Sequence, residues 1–276
     1  MITIGHKRYN IIGGLLGWIW LFIIIVPIYY IVITSLRDQM AIFSDNPLSI
    51  PKHVTFSAYQ RVFQNNFLLY VRNSVIVTLV TVILILAVTI PAAYLIIRRT
   101  DVWSRRTYKL VISGLAIPMQ ATIIPIYYII IKIGLYDTLW ALILPSAAFA
   151  IPITVMILVN FLRDIPSSLF EAMEVDGASE FSIMVRLAIP MVKPALITVS
   201  IYDALNVWNG FLFPLILTQS AKNRVIPLSL WQFQGQFTVD VPGILAAVVI
   251  SVLPILAAYI VGRKQMVAGL TAGFTK

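Results

Sequence analysis

Residues 163–194 read RDIPSSLFEAMEVDGASEFSIMVRLAIPMVKP, the one long polar interruption in the second half of an otherwise greasy chain. The stretch gathers Asp164, Glu171, Glu174, Asp176 and Glu180, five of the 11 acidic residues. An ionised side chain at the centre of a bilayer costs ~2.5 to 3.5 kcal/mol even on a lenient insertion scale, so this segment belongs in water or against another protein. Its pattern predicts local order. Ser168 and Glu171 have the S-x-x-E spacing of a capping box just after Pro166. Ile165, Leu169, Phe170 and Met173 fall on one helical face and leave Glu171 and Glu174 on the other. Asp176 and Gly177 stop that helix, since glycine takes a positive φ at little cost. A second short helix follows, with Ser179 as its cap and Phe181, Met184, Val185 and Ala188 as its apolar stripe, until Pro190 and Pro194 break the register.

Around this hairpin the composition is that of a membrane protein: 60% hydrophobic and 11% charged residues, with a mean hydropathy of +0.93. The length of 276 residues allows about six spans of ~20 residues with their connections. Hydropathy places them at approximately 12–36, 73–97, 110–131, 139–161, 195–217 and 243–261, in a single all-α transmembrane domain. The first apolar run is too long for the core of a signal peptide and lacks a small-x-small cleavage site, so it reads as a retained span behind Lys7 and Arg8. Residues 57–63, SAYQRVF, read as a short interfacial helix capped by Ser57, with Tyr59 and Phe63 at headgroup level.

The net charge of +9 comes from bases that flank spans rather than form an exposed stripe, which argues for lipid contact and against a nucleic-acid partner. Arg98, Arg99, Arg105, Arg106 and Lys109 crowd one short loop. With both termini, that loop and 163–194 on the cytoplasmic side, 13 of the 20 Lys and Arg residues lie inside. The hairpin therefore faces the cytoplasm.

Little in the chain can carry covalent chemistry. There is no cysteine, and His6 and His53 stand far apart, so thiolate and histidine metal sites lack ligands. No G-x-x-x-x-G-K-[ST] run is present, so ATP phosphates are not bound by that device, and no metalloprotease or nucleophile-elbow motif occurs. Asp203 is the one acid placed inside a span. With Asn206, Trp208 and Asn209 it can line a watery path and hydrogen-bond a hydroxylated solute, Trp208 or Tyr202 offering a flat face to a sugar ring; equally, these groups can bind neighbouring helices and pack. Gln120 and Tyr127 are weaker candidates for the same path. Prolines at 118, 125, 145, 152 and 214 suggest broken helices, which membranes tolerate beside a cavity.

The 163–194 hairpin resembles the EAA loop of permease subunits in bacterial binding-protein-dependent ABC importers, with Glu171, Ala172, Asp176, Gly177, Ala178, Ile189 and Pro190 in the matching places and Met173 replacing the third alanine. From about residue 73 on, the likeness narrows to the MalG-type permease of carbohydrate importers. It is carried by P-x6-P-x-Y (118–127), GLYDTLWALIL (134–144), FLRDIP (161–166), WNGFLFPL (208–215) and GLTAGFTK (269–276). The resemblance implies the type I ABC importer permease fold, six transmembrane helices with a cytoplasmic coupling helix, and a bacterial inner-membrane location. It implies that Glu171, Ala172, Met173, Asp176, Gly177 and Ala178 couple the chain to an ATPase. The implied partners are a second, MalF-type permease, two cytoplasmic ATPase subunits that bind the ATP and magnesium, an extracytoplasmic solute-binding protein and a sugar or oligosaccharide. The chain itself would hold no cofactor and would be no enzyme. The competing expectations are an ion-coupled secondary carrier using Asp203 and a non-transporting membrane assembly protein.

Overall fold

The structure, a computed structural model, describes residues 11–233 and 239–272. The Lys7 and Arg8 flank, His6, residues 234–238 and the last four residues of the tail lie outside the described residues. The principal helices are α1 (Ile11–Ser35), α2 (Ser57–Gln64), α3 (Phe67–Arg98), α4 (Val102–Ser113), α5 (Ile123–Lys132), α6 (Trp140–Arg163), α7 (Ser167–Val175), α8 (Glu180–Ile183), α9 (Lys193–Trp208), α10 (Leu212–Leu217) and α11 (Val241–Ala272). Among the described residues, α1, α3 and α6 are long and apolar enough to cross a membrane, and two bent helix pairs raise that number to at most five. A shorter apolar run, Val241–Ala257, lies in α11.

The third expected span, 110–131, is not straight. Helix stops at Ala116, resumes at Met119, and the two halves meet at 94°. Pro118 causes this: a residue before proline is pushed out of the helical region, and Ile117 sits at φ −85°, ψ 112°. The fifth expected span, 195–217, is also divided. Helix α9 begins after a 77° bend at Val192, between the two prolines that were expected to break the register, and ends at Trp208. Residues 209–211 then intervene before α10.

The contacts fall into two compact units. One contains the described residues through Asn66 and Leu230–Val252. Here α1 is exposed along most of its apolar length. At its end Arg37 is buried, its guanidinium donating to the carbonyls of Asn46 and Ser49 and so folding the 38–55 loop back on itself. Ser57 is not the cap of α2. It is the first helical residue, and its own N–H is taken by the Thr55 hydroxyl at 3.2 Å. Phe63 is exposed, but Tyr59 turns inward and shares a 2.8 Å hydrogen bond with Ser35. Arg61 grips Asp240 with two hydrogen bonds, Nε to Oδ2 at 2.7 Å and Nη2 to Oδ1 at 3.0 Å, while Asp240 Oδ1 also accepts the Gly243 N–H at the start of α11. Burial pushes the Asp240 carboxyl up, but the Arg61 and Gly243 donors outweigh it and hold it below the usual carboxylate range.

The other unit contains Phe67–Ser229 and the described residues from Leu253 on. Its centre is the pair α3 and α6. Helix α3 buries Tyr70, Asn73, Ser74, Val77, Thr78, Thr81, Ile85, Thr89 and Ala93, a stripe at helical spacing. Its small and hydroxyl residues permit the close approach that holds helices together where water offers no driving force. Gly114, just past α4, comes so close to α6 that a Cβ there would lie 2.9 Å from Pro152 Cγ. One apolar cluster, including Tyr94, Leu158, Phe170, Ile183 and Val199, packs where 163–194 leaves and rejoins the bundle. A second, including Val77, Leu142, Phe213 and Leu217, packs toward the α5–α6 loop. That loop is fixed by Asp137, whose Oδ1 accepts the N–H groups of Gln219 at 2.9 Å and Ser220 at 3.0 Å. Burial raises its pKa, but those donors lower it further, to about 2.

Candidate functional site: a clamped hairpin and a largely apolar pocket

The hairpin forms as helix, glycine turn, helix. Gly177 has φ +75°, its N–H donates to Glu174 O at 2.9 Å, and the Ala178 N–H reaches Met173 O at 3.0 Å. This is the Schellman pair of bonds, and Met173 and Ala178, the residues such a motif brings into apolar contact, both pack on the core. Ser179 caps α8 by accepting the Ser182 N–H at 3.3 Å.

Two expectations fail. Ser168 forms no capping box, because α7 starts two residues earlier than that box requires, with Pro166 as N-cap and no side-chain cap bond. Ser168 is thus already inside the helix, where its hydroxyl cannot reach the exposed amides. The stripe of the second helix is also misplaced. Ile183 and Ala188 are buried, whereas Phe181 and Val185 are exposed. Residues Met184–Ala188 form a π-helical turn, whose wider winding shifts the buried face away from a 3.6-residue count.

The hairpin is clamped to the end of α3. Arg98 ion-pairs with Glu174 and, at 3.2 Å, with Glu180, and its guanidinium lies 5.1 Å from the Phe170 ring centre. Tyr94 donates its hydroxyl to Glu180 Oε2 at 2.5 Å. Two of the four hairpin acids on 171–180 therefore face the chain's own bundle. Glu171, Ala172 and Asp176 face outward, in company with Leu169, Val175 and Phe181, which are 40%, 88% and 72% exposed. The outward side of the hairpin thus carries both charged and uncovered apolar side chains.

Of the residues expected along a solute path, the structure brings Asp203, Asn206 and Trp208 together on a pocket of about 300 Å3, with Tyr202 beside them. Met119, Ser146, Phe149, Phe211 and Phe213 complete much of its wall. Asp203 is 1% exposed; Thr154 of α6 donates to its Oδ2 at 2.9 Å, and Oδ1 is buried with no hydrogen-bond partner. The carboxyl thus both ties two helices and borders the pocket. Asn206 and Asn209 each donate to a carbonyl four residues back, on Tyr202 and Leu205, and Asn209 does not line the pocket. Gln120 is exposed outside it, and Tyr127 stacks edge-on against Tyr136 at 5.6 Å. Sequence reasoning missed Thr154, Phe149 and the clamp residues Tyr94 and Arg98. Only Arg98 carried a signal, and its position in a basic loop masked a pairing role. Among the described residues no group of His, Cys, Asp or Glu is arranged to hold a metal ion.

Such a helical bundle, with a largely apolar pocket carrying a few polar groups and a polar hairpin clamped at its base, defines a multi-pass membrane transport subunit. The comparisons specify it. The family model described as "binding-protein-dependent transport system inner membrane component" matches residues 85–265, and the chain belongs to that family of non-enzymatic membrane subunits. A putative ABC transporter permease protein, ORF2, of Caldicellulosiruptor sp. (strain Rt8B.4) is 40% identical over 94% of this chain and 94% of its own. The multiple sugar-binding transport system permease protein MsmG of Streptococcus mutans is 30% identical over 96% of this chain and 94% of its own. Among solved structures, a chain of a bacterial ABC transporter involved in the import of the acidic polysaccharide alginate aligns with a TM-score of 0.76 at 24% identity, covering 96% of this chain and 100% of that one. The fold is that of a type I importer permease.

Proposed function

We propose that the chain is the permease subunit of a sugar or oligosaccharide importer, working by alternating access. The observation that carries this reading is the hairpin: anchored inward by Glu174 and Glu180 on Arg98, it leaves Glu171, Val175 and Phe181 free for a partner. The sugar assignment draws on relatives such as MsmG and on the aromatic and polar lining of the pocket, where Trp208 and Tyr202 suit the apolar face of a pyranose and Asp203 and Asn206 suit its hydroxyls.

In this reading two ATPase subunits bind ATP and magnesium, a MalF-type permease completes the pathway, and an external binding protein delivers the solute. Both termini and the hairpin lie on the cytoplasmic side, with six crossings between them. ATP-driven closure of the ATPases pulls on the hairpins, and the helices rock to open the pocket to one side and then the other. Coupling falls to Glu171, Ala172, Met173, Asp176, Gly177 and Ala178, and the solute path to Asp203, Asn206 and Trp208, with Asn209, Gln120 and Tyr127 reaching it only after rearrangement. The ion-coupled carrier reading of Asp203 has no support among the named relatives.

The test is reconstitution in liposomes. The chain alone, given a proton or sodium gradient, should take up no sugar; with the second permease, the ATPases, the binding protein and ATP it should. Gly177→Asp should insert normally and lose ATP-driven uptake. Uptake by the chain alone, or full uptake by Gly177→Asp in the assembly, would overturn the reading.

A further inference from the structure

A second cavity, of about 520 Å3, lies at the base of the hairpin among the ends of α3 and α6, the start of α7 and one face of α4. Its rim is cationic: Arg99, Arg105, Lys109 and Arg163 line it. Among the described residues none of these four is in an ion pair with a carboxylate, whereas Arg98 beside them is engaged by Glu174 and Glu180. Arg163 is held with its guanidinium 5.4 Å from the Tyr108 ring centre, an arrangement that fixes the cation and leaves its edge free to donate. The floor is apolar, formed by Ile96, Ile97, Leu162 and Ile165.

The carboxylates nearby whose partners the structure gives are turned to other groups. Asp101 is used as the cap of α4, accepting the Ser104 N–H at 2.7 Å, and Glu174 and Glu180 are turned to Arg98. Four unpaired cations around one cavity repel one another, and the arrangement is relieved by an anion. The apolar floor narrows its kind. A free phosphate would leave the half-buried Ile96 and Ile97 facing water, whereas a phospholipid sets its phosphate on the rim and its glycerol and upper chains on the floor. The cavity also opens where α3 and α6, two helices fit to cross a membrane, end at Arg98 and Arg163, which is headgroup depth.

We propose that this cavity is a binding site for an anionic phospholipid headgroup, held by Arg99, Arg105, Lys109 and Arg163. A lipid seated there touches the start of α7 through Ser167 and Phe170, so it steadies the hairpin base whatever solute the protein carries.

The experiment is native mass spectrometry of the full chain in mild detergent, titrated separately with dioleoyl phosphatidylglycerol, dioleoyl phosphatidylcholine and inorganic phosphate. One phosphatidylglycerol should be retained in preference to phosphatidylcholine. The double variant R105Q/K109Q should weaken it by about thirtyfold, from the ~1 kcal/mol that each surface cation contributes to anionic lipid. R186Q, which removes an exposed base outside the cavity, should leave it unchanged. R105K/K109R, which keeps both charges, should restore retention and guards against misfolding of the first variant. Equal retention of the two lipids, inorganic phosphate binding as tightly as the lipid, or an unchanged R105Q/K109Q would each overturn the proposal. So would loss of ATPase capture in R105Q/K109Q with lipid retention intact, since the rim would then belong to an acidic protein partner.

Discussion

Replacing Gly177 isolates the backbone contribution of the hairpin bend. The residue sits at φ +75°, and a Cβ built there meets no atom within 4 Å. A side chain therefore adds no clash, and the whole cost is the left-handed conformation itself, ~1 to 2 kcal/mol for an ordinary L-residue. Asparagine, which tolerates that region, should cost less than alanine, and a β-branched valine should cost more. The strain cannot unfold the bundle, because the buried cluster of Phe170, Ile183 and Leu158 lies on either side of the turn. It is relieved by opening the turn and breaking the Gly177 to Glu174 and Ala178 to Met173 bonds, which rotates α8 against α7. If the bent form is what the ATPase recognises, a penalty of this size lowers affinity by roughly 5- to 30-fold. The assay is capture of the ATPase by the permease in nanodiscs, read as the concentration for half-maximal binding. The expected order of affinity is Gly, Asn, Ala, Val, with melting temperatures nearly unchanged. Equal affinity for Gly177→Val and wild type would refute the link between this bend and the partner.

Gly114→Ala should destabilise the bundle by ~1 to 3 kcal/mol, since the added methyl lies 2.9 Å from the stiff Pro152 ring, and thermal unfolding in detergent will show it. For Asp240 the folded pKa is depressed, so its contribution is complete above the unfolded value of ~3.9 and is lost as pH falls through the lower folded value; hydrogen-exchange protection of Gly243 should drop over that acidic window and be weak at neutral pH in Arg61→Gln. Asp137→Asn keeps a residue that accepts the observed φ of +56° while removing the charge that Gln219 and Ser220 bind, and should lower stability by ~1 kcal/mol with faster exchange at those two amides.

Much of the architecture was legible because its causes are local. A run of apolar residues must be a helix in lipid, a cluster of acids must leave it, and Gly177 after Asp176 must turn. The solute-path residues were half legible. Asp203 stood out as a lone acid in a span, but its partner Thr154 is one of many small polar residues that pack between helices, and no periodicity separates it from the rest. Pro118 announced a break, not a right angle, because the angle depends on what Gly114 and Met119 find to pack against. The buried stripe after Ser179 was misread for two reasons. A π turn changes the winding without changing the amino-acid pattern, and Phe181, apolar yet 72% exposed, breaks the rule that apolar residues face the core. Hydrophobicity marks what leaves water; it does not tell which molecule receives it.

The two helices that flank the hairpin, α6 and α9, also meet at the pocket, and one hydrogen bond joins them there. Thr154 lies nine residues before Arg163 and Asp203 ten residues after Lys193, so each arm is ~14 or 15 Å of rigid helix. Hairpin base, two arms and the Thr154–Asp203 bond form a closed frame, and a frame transmits displacement only while its cross-piece holds. Thr154→Val keeps shape and burial but removes the donor, leaving both carboxyl oxygens of Asp203 buried without partners, since Oδ1 has none to begin with. The cost should be ~1 to 3 kcal/mol in thermal stability. Adding Asp203→Asn should recover part of that stability, because a neutral amide is cheaper to bury, yet should not recover ATP-driven uptake, because the cross-piece is still missing. If Thr154→Val lost stability but moved solute at the wild-type rate, the bond would be mere packing glue, and displacement of the hairpin would have to reach the pocket through α3 and its Arg98 clamp instead.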